Sequence, residues 1–169
     1  MPGAPAVPAR HWGVHVARIV SGGQTGADRA ALDAAIEHGL AYAGWCPAGG
    51  WAEDRPDPPG LRLDYPRLRE TRSADPAERT RLNVRDSHAT LVVRSHSVDS
   101  PGTDLTVATA GRLGRPCLVT TDAETVLDWL SALGRELTLN VAGPRESERP
   151  GCYTSTLDLL RRVLRADSG

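Results

Sequence analysis

The sequence predicts a single α/β domain in which a mostly parallel sheet is covered by helices on both faces. Short strands rich in Val, Ile and Leu alternate along the chain with segments of helical periodicity, which is the pattern of buried parallel strands. Three of these strands run directly into loops that contain glycine, as parallel strands often do before a helix. The length of 169 residues suits one domain, and no internal repeat indicates a second.

The first part of the chain contains a strand, a glycine-rich turn and a helix. Residues 16–20 predict a buried strand, the glycine-rich segment 21–28 follows at once, and small and apolar residues at helical spacing predict a helix over 27–38. A second short strand is predicted at 41–45. Residues 47–66 are rich in proline and glycine, so we expect a long surface loop of the kind that often serves as a lid.

The rest of the chain continues the alternation of helices and strands. Asp75 is a predicted helix cap with Pro76 as the first helical residue, and this helix extends to Asp86. Further helices are predicted at 102–113, 124–133 and 151–165, and further strands at 89–93, 117–120 and 137–142. Together these elements predict a Rossmann-like three-layer sandwich over residues 16–169, preceded by a flexible tail at 1–15.

All 20 cationic side chains are arginine, because the sequence contains no lysine. Without lysine the protein cannot form a Schiff base, anchor pyridoxal phosphate or build a Walker-type phosphate loop. Arginine is well suited to bidentate contacts with phosphate. The net charge of −1 provides no broad cationic field, so nucleic acid is not an expected partner.

The cysteines and the amino-terminal segment favour a cytoplasmic protein. Cys46, Cys117 and Cys152 are widely spaced without a CxxC pair, which is typical of reduced thiols, and with the histidines they show no zinc-ligand spacing. Residues 1–16 contain no apolar stretch long enough for a signal peptide or a membrane span. We therefore expect no metal site and no membrane association.

Three glycine-containing loops, at 21–26, 100–103 and 143–147, follow predicted strands and should meet at one edge of the sheet. Their backbone amides lie at the starts of helices, where they suit a phosphate group. An arginine in the third loop adds a guanidinium group that can form two parallel hydrogen bonds with phosphate oxygens. The alternative is that the glycines only make tight turns between strand and helix. The candidate ligand-binding or phosphate-binding residues are Ser21, Gly22, Gly23, Gln24, Thr25, Gly26, Asp28, Arg79, Asn83, Gly102, Thr103, Gly143, Arg145 and Ser147.

Arg79 and Asn83 are four residues apart on one predicted helix, so their side chains lie on the same face. We include both among the candidates. The alternative for such a pair is a solvent-exposed helix face.

Six segments of the sequence resemble the molybdenum carrier family: 21–28, 47–54, 70–71, 79–87, 101–103 and 140–145. This family belongs with Rossmann-like proteins that include molybdenum-cofactor carriers, "lonely guy" phosphoribohydrolases and lysine decarboxylase-like proteins. The similarity spans about residues 16–165. In the carriers, a loop like Gly143-Pro144 follows the first strand, whereas here it follows the last predicted strand. The resemblance therefore implies a circular permutation, which is compatible with folding if the chain ends lie close together.

The resemblance to the hydrolase branch is incomplete. Arg79 matches an arginine that stands eight residues before a turn, here at 87–89. The acidic partner in those enzymes lies four residues after the glycine of a Gly-Thr pair, and this position is Thr106. Glycosidic cleavage without a carboxylate is hard to explain. The remaining candidates for a catalytic role are Arg79, Glu53, Asp54 and Asp104.

The resemblance thus implies a protein that holds a phosphorylated nucleotide-type or pterin-type ligand without catalysis, with the molybdenum cofactor or a nucleotide as the bound molecule. Two alternatives remain open, a nucleotide phosphoribohydrolase and a sensor of NAD-derived nucleotides. The resemblance also implies assembly into a homo-oligomer.

Overall fold

The computed structural model describes residues 15–167. Its strands are β1 (Val16–Val20), β2 (Ala41–Ala43), β3 (Trp45–Cys46), β4 (Arg69–Glu70), β5 (Ala89–Val92), β6 (Cys117–Val119) and β7 (Leu137–Ala142). Its α-helices are α1 (Ala27–Glu37), α2 (Pro76–Arg85), α3 (Pro101–Leu113), α4 (Ala123–Leu133) and α5 (Cys152–Asp167). The order confirms the predicted α/β class.

Five strands form one parallel sheet in the order β2-β1-β7-β5-β6. The last strand of the chain, β7, occupies the centre of this sheet, between β1 and β5. Because all five strands run in the same direction, the loops that follow β1, β5 and β7 leave from the same edge. This arrangement places the three glycine-containing loops next to one another.

Helices cover both faces of the sheet, so the three-layer Rossmann-like sandwich is confirmed. On one face, α1, α4 and α5 pack against the strands around an aliphatic core in which Ile19, Leu91, Leu139 and Leu160 are almost completely buried. On the other face, α3 packs against β5 and β6, and α2 packs against α3. No helix within residues 15–167 is long and apolar enough to cross a membrane.

The strand predicted at 41–45 is two strands in the structure. Gly44 lies between them with φ of +147°, and a Cβ at this position would overlap the carbonyl oxygen of Ser21. The chain turns at this glycine, so β2 continues the main sheet while β3 pairs with β4 in a separate parallel pair. The prediction of a single strand was therefore wrong, since the pattern of apolar residues does not reveal the close approach at Gly44.

The segment predicted as a long surface loop is packed against the domain. It contains two short 3₁₀ helices, Ala48–Gly50 and Gly60–Leu63. Ala52 and Leu61 of this segment are buried in a small second core together with Leu32 of α1. The segment is therefore held in place by apolar contacts.

The two ends of the described chain are joined by hydrogen bonds. The buried carboxylate of Asp167, at the end of α5, accepts from the main-chain N–H of His15 at 2.6 Å and of Val16 at 3.1 Å. The two ends of the described chain therefore lie close together, as a circular permutation that preserves the fold requires. Of the predicted tail, residues 1–14 lie outside the described residues, whereas His15 is buried and belongs to the domain.

Replacement of Asp167 by alanine is expected to lower the free energy of unfolding by about 1–3 kcal/mol, because two buried N–H groups lose their acceptor. Urea denaturation measures this change. Asp158→Ala is the matched control on the same helix, because its side chain is 66% exposed and its ion pair with Arg161 at 3.7 Å is weak. Equal losses in the two variants would contradict a role for Asp167 in joining the chain ends.

Candidate functional site

The three glycine-containing loops meet around one cleft of about 300 Å³ at the carboxyl edge of the sheet. The end of β7, helix α2 and the first turns of α3 also line it. The loops contribute Gly22 and Gln24, then Ser100, Gly102 and Thr103, and finally Gly143 and Arg145. The structure thus brings together the loops that the strand pattern placed at one edge.

The first loop is built around a buried arginine. Arg79 of α2 is only 7% exposed, and its Nη1 donates a hydrogen bond of 2.8 Å to the carbonyl oxygen of Gly22. A Cβ on Gly22 would overlap this guanidinium group. The absence of a side chain at Gly22 therefore makes room for arginine inside the protein.

The other glycines of this loop have packing roles. Gly23 and Gly26 have φ of +73° and +79°. A Cβ on Gly23 would press on Leu61, and one on Gly26 would overlap the carbonyl oxygen of Pro144. The tight-turn interpretation therefore fits these two residues, which do not line the cleft.

Ser21 also shapes the turn from outside the cleft. Its hydroxyl donates to the carbonyl oxygen of Asp28 at 2.8 Å and accepts from the N–H of Gly23 at 3.2 Å. The prediction that Ser21, Gly23 and Gly26 directly contact a ligand in this cleft is therefore not supported by their positions.

Asp28 provides a carboxylate in the cleft beside the buried arginine. Its Oδ2 lies 3.7 Å from Nη1 of Arg79. Burial raises the pKa of Asp28 to about 6, although Arg79 and the main-chain N–H of Gln24 oppose this shift. Burial also lowers the pKa of Arg79, against the influence of Asp28. The protein thus already places a negative group next to the buried cation.

Asn83 lines the cleft but has a structural role there. Its Oδ1 accepts from the main-chain N–H of Trp45 at 2.7 Å, and its Nδ2 donates to the carbonyl oxygen of Trp45 at 3.1 Å. Both Arg79 and Asn83 are buried, so the alternative of a solvent-exposed helix face is wrong.

Gln24 presents a donor that no atom of residues 15–167 accepts. Its Oε1 accepts from the main-chain N–H groups of Thr25 at 3.0 Å and Glu53 at 2.9 Å. Its Nε2 is buried and has no hydrogen-bond partner, and the residue lines the cleft. Buried polar groups are almost always paired, so this donor requires an explanation.

Glu148 is a cleft residue that the sequence analysis missed. Its Oε1 accepts from the main-chain N–H of Arg145 at 2.8 Å and from the hydroxyl of Ser100 at 3.0 Å. It therefore ties the third loop to the start of α3. The predicted loop ended at Ser147, but the turn continues to Gly151. The length of the segment before the last predicted helix was the signal that could have identified Glu148 as a loop residue.

The predicted catalytic acids do not line the cleft. Glu53 faces a neighbouring groove, where it accepts from the hydroxyls of Thr25 and Ser147, the latter at 2.7 Å. Burial alone would raise the pKa of Glu53, but these hydrogen bonds outweigh it and the pKa is lowered. Thr25 and Ser147 therefore serve to hold Glu53 and do not reach the cleft.

The other two acids are engaged in ion pairs. Asp54 bonds Arg29 at 2.8 Å, and Asp104, on the exposed side of α3, bonds Arg94 at 2.6 Å. Thr106, which occupies the position of the hydrolase acid, is buried and lines the cleft.

The start of α3 opens into the cleft. Its first residue is a proline without an N–H, and the next two amides, of Gly102 and Thr103, have no acceptor within the helix. In the part of the chain that the structure describes, no atom lies within 4 Å of where a Cβ on Gly102 would be. Within residues 15–167, no group of three or more His, Cys, Asp or Glu side chains is placed to bind a metal ion.

The model of the circularly permutated YpsA SLOG family matches residues 19–164 of the chain. The chain belongs to this family. The permutation inferred from loop order is thereby confirmed, and so is the resemblance to molybdenum carriers, because a solved structure with that name is closely similar. It is the crystal structure of a "putative molybdenum carrier protein" from Syntrophus aciditrophicus SB.

That protein is 39% identical to this chain, and the match covers 89% of this chain and 96% of the other with a TM-score of 0.79. The two proteins therefore share the Rossmann-like fold over almost their whole lengths. No curated protein matches the chain.

Two glycines of the cleft should respond differently to alanine. Gly22→Ala forces the buried guanidinium of Arg79 to move, so we expect a loss of about 1–3 kcal/mol in the free energy of unfolding. Gly102→Ala meets open space in a helix and should be neutral or stabilising by up to about 1 kcal/mol. Thermal and urea denaturation compare the two. If both variants kept wild-type stability, the packing role assigned to Gly22 would be wrong.

The raised pKa of Asp28 predicts a dependence of stability on pH. The folded state binds this proton more tightly than the unfolded state, so the free energy of unfolding should fall as pH rises from 3.8 through about 6. Asp28→Asn should remove that fall and be more stable than wild type at pH 8, on the order of 1–3 kcal/mol. The difference should vanish below pH 4. Asp158→Asn, at an exposed site, should keep the wild-type pH profile, because Asp28 is still present.

Proposed function

We propose that the cleft binds a phosphorylated nucleotide-type or pterin-type small molecule, and that the protein is a non-catalytic carrier of such a ligand, with the molybdenum cofactor as one candidate. The observation that carries this proposal is the set of unsatisfied donors around one cleft: the first amides of α3 and the Nε2 of Gln24. The cleft volume lies at the lower end of the range of small-molecule sites.

The start of α3 is the best place for the phosphate. At the other two helix starts near the cleft, protein atoms already accept from an early amide: Ala27 donates to the carbonyl of Pro144, and Ala77 donates to Asp75. At α3 the amides of Gly102 and Thr103 remain available within the helix, where the positive end of its dipole favours an anion.

Arg145 is the cation that could complete this phosphate site. Its guanidinium is half-buried, lies 3.9 Å from Glu53 and stacks 5.6 Å above the ring of Trp51. A contact of this length is a weak constraint, so the side chain has freedom to form a bidentate contact with phosphate. Arg79, in contrast, is committed to Gly22 and Asp28.

The carrier role, as opposed to a catalytic one, is supported by Thr106. This residue lies in the cleft where the hydrolase branch has its acid, but it carries a hydroxyl whose hydrogen is donated to the carbonyl of Gly102 at 3.0 Å. The solved relative that is named a molybdenum carrier supports the same role.

The decisive experiment is to identify and then titrate the ligand. Mass spectrometry of the denatured purified protein should detect a phosphorylated molecule, and calorimetry should show binding of a nucleoside monophosphate or of molybdopterin. Arg145→Gln should weaken binding at least tenfold, because it removes a charged donor to phosphate. Arg149→Gln, an exposed position in the same loop, should leave the affinity within about twofold.

A lack of binding by every phosphorylated candidate would contradict the proposal.

One observation favours the hydrolase alternative: Arg79 shares the cleft with two carboxylates, those of Asp28 and Glu148. The mixtures of protein and nucleotide used for calorimetry therefore also test the hydrolase alternative. Release of free base from AMP or a related monophosphate, lost in Arg79→Ala, would replace the carrier by an enzyme, whereas intact recovery of a monophosphate that calorimetry shows to bind supports the carrier.

A further inference from the structure

The unpaired amide of Gln24 is oriented by the protein. Because its Oε1 accepts from two main-chain N–H groups, rotation of the amide would place its NH₂ against two donors. Nε2 is therefore fixed as a donor, and burial without an acceptor is costly. A ligand atom with a lone pair, such as a carbonyl oxygen, would satisfy it.

The carboxylate of Asp28 lies on the same side of the cleft. It follows Gln24 by four residues, and the main-chain N–H of Gln24 lowers its pKa, which places the two residues close together. Its nearest cation, Arg79, is 3.7 Å away, which is longer than a hydrogen bond. Two carboxylate oxygens offer about four acceptor positions, so the group retains capacity for two ligand N–H donors.

The negative charge of Asp28 also limits what can bind beside it. A phosphate placed here would lie against a carboxylate that is 8% exposed and ionised above pH 6. The phosphate therefore belongs at the start of α3, and the polar edge of a ring belongs at Gln24 and Asp28.

We infer that Gln24 and Asp28 recognise the amino-lactam edge of a guanine or pterin ring. The ring carbonyl accepts from Nε2 of Gln24, while the ring N–H and the exocyclic NH₂ donate to the carboxylate of Asp28. Hypoxanthine has the carbonyl and the N–H but lacks the NH₂, and adenine has neither the carbonyl nor the N–H. This inference rests on the proposed binding function and specifies its ligand class.

Calorimetry at pH 8 with GMP, IMP, AMP and neopterin monophosphate tests this recognition. Wild-type protein should bind GMP at least about tenfold more tightly than IMP, because the extra NH₂ donates to a charged acceptor. Asp28→Asn should reduce that preference to about twofold or less, because an uncharged NH₂ donor replaces one carboxylate oxygen and would face a donor of the ring. Asp158→Asn, on the exposed face of α5, is the control and should keep the wild-type preference.

Gln24→Glu provides the second arm. A carboxylate oxygen keeps both main-chain contacts of Oε1, so the loop should stay folded, which circular dichroism checks. Loss of the donor should weaken GMP and IMP alike, at least about tenfold, without changing their ratio. The affinities for neopterin monophosphate and GMP are then compared. The probe that binds more tightly shows whether the recognised ring is a pterin or a guanine.

Equal affinities for GMP, IMP and AMP in the wild type would overturn the inference, and so would an unchanged preference for GMP in Asp28→Asn. If none of the four probes binds, the inference also fails. The proposed carrier function is then decided separately by the mass of the co-purified molecule.

Discussion

The contact between Gly22 and the buried guanidinium of Arg79 determines the geometry of the cleft. It connects the turn after β1 to α2, and residues of both segments line the cleft. A buried cation needs compensation, and Asp28 provides it from the first turn of α1. The glycine, the arginine and the aspartate thus form one unit, in which Gly22 makes room for the guanidinium group and the carboxylate of Asp28 lies beside it.

The contacts of this unit show that the glycine-rich segment after β1 makes room for protein atoms. A strand followed by glycines and a helix is the usual pattern of a phosphate loop, but here its space is filled by protein atoms. The helix start that remains open belongs to α3, whose sequence contains a single glycine at this point. In addition, the four charged groups lining the cleft, Asp28, Arg79, Arg145 and Glu148, cancel formally, which favours a ligand with both anionic and neutral polar parts.

Much of the fold could be predicted from the sequence, because strands of a parallel sheet are apolar and helices are periodic. The cap at Asp75 was predicted and is observed, with its carboxylate accepting from Ala77. The break at Gly44 could not be predicted, since it depends on the distant carbonyl of Ser21.

The same distinction applies to the cleft. Strand ends predicted which loops meet, but the roles of single residues depend on contacts between segments far apart in sequence. Asn83 is occupied by Trp45, and Glu53 is held by Thr25 and Ser147. No local pattern reveals such partners. The unpaired donor of Gln24 likewise becomes visible only when the surroundings of its amide are known.

The joined chain ends have a consequence for how the protein can be linked to others. Val16 begins β1, whereas the cleft lies beyond the other end of the same strand, roughly 15 Å away along five residues. The chain therefore enters the described domain at His15 and leaves it at Asp167 on the same amino edge of the sheet. A partner that is joined to the protein at this edge would therefore lie away from the entrance of the cleft.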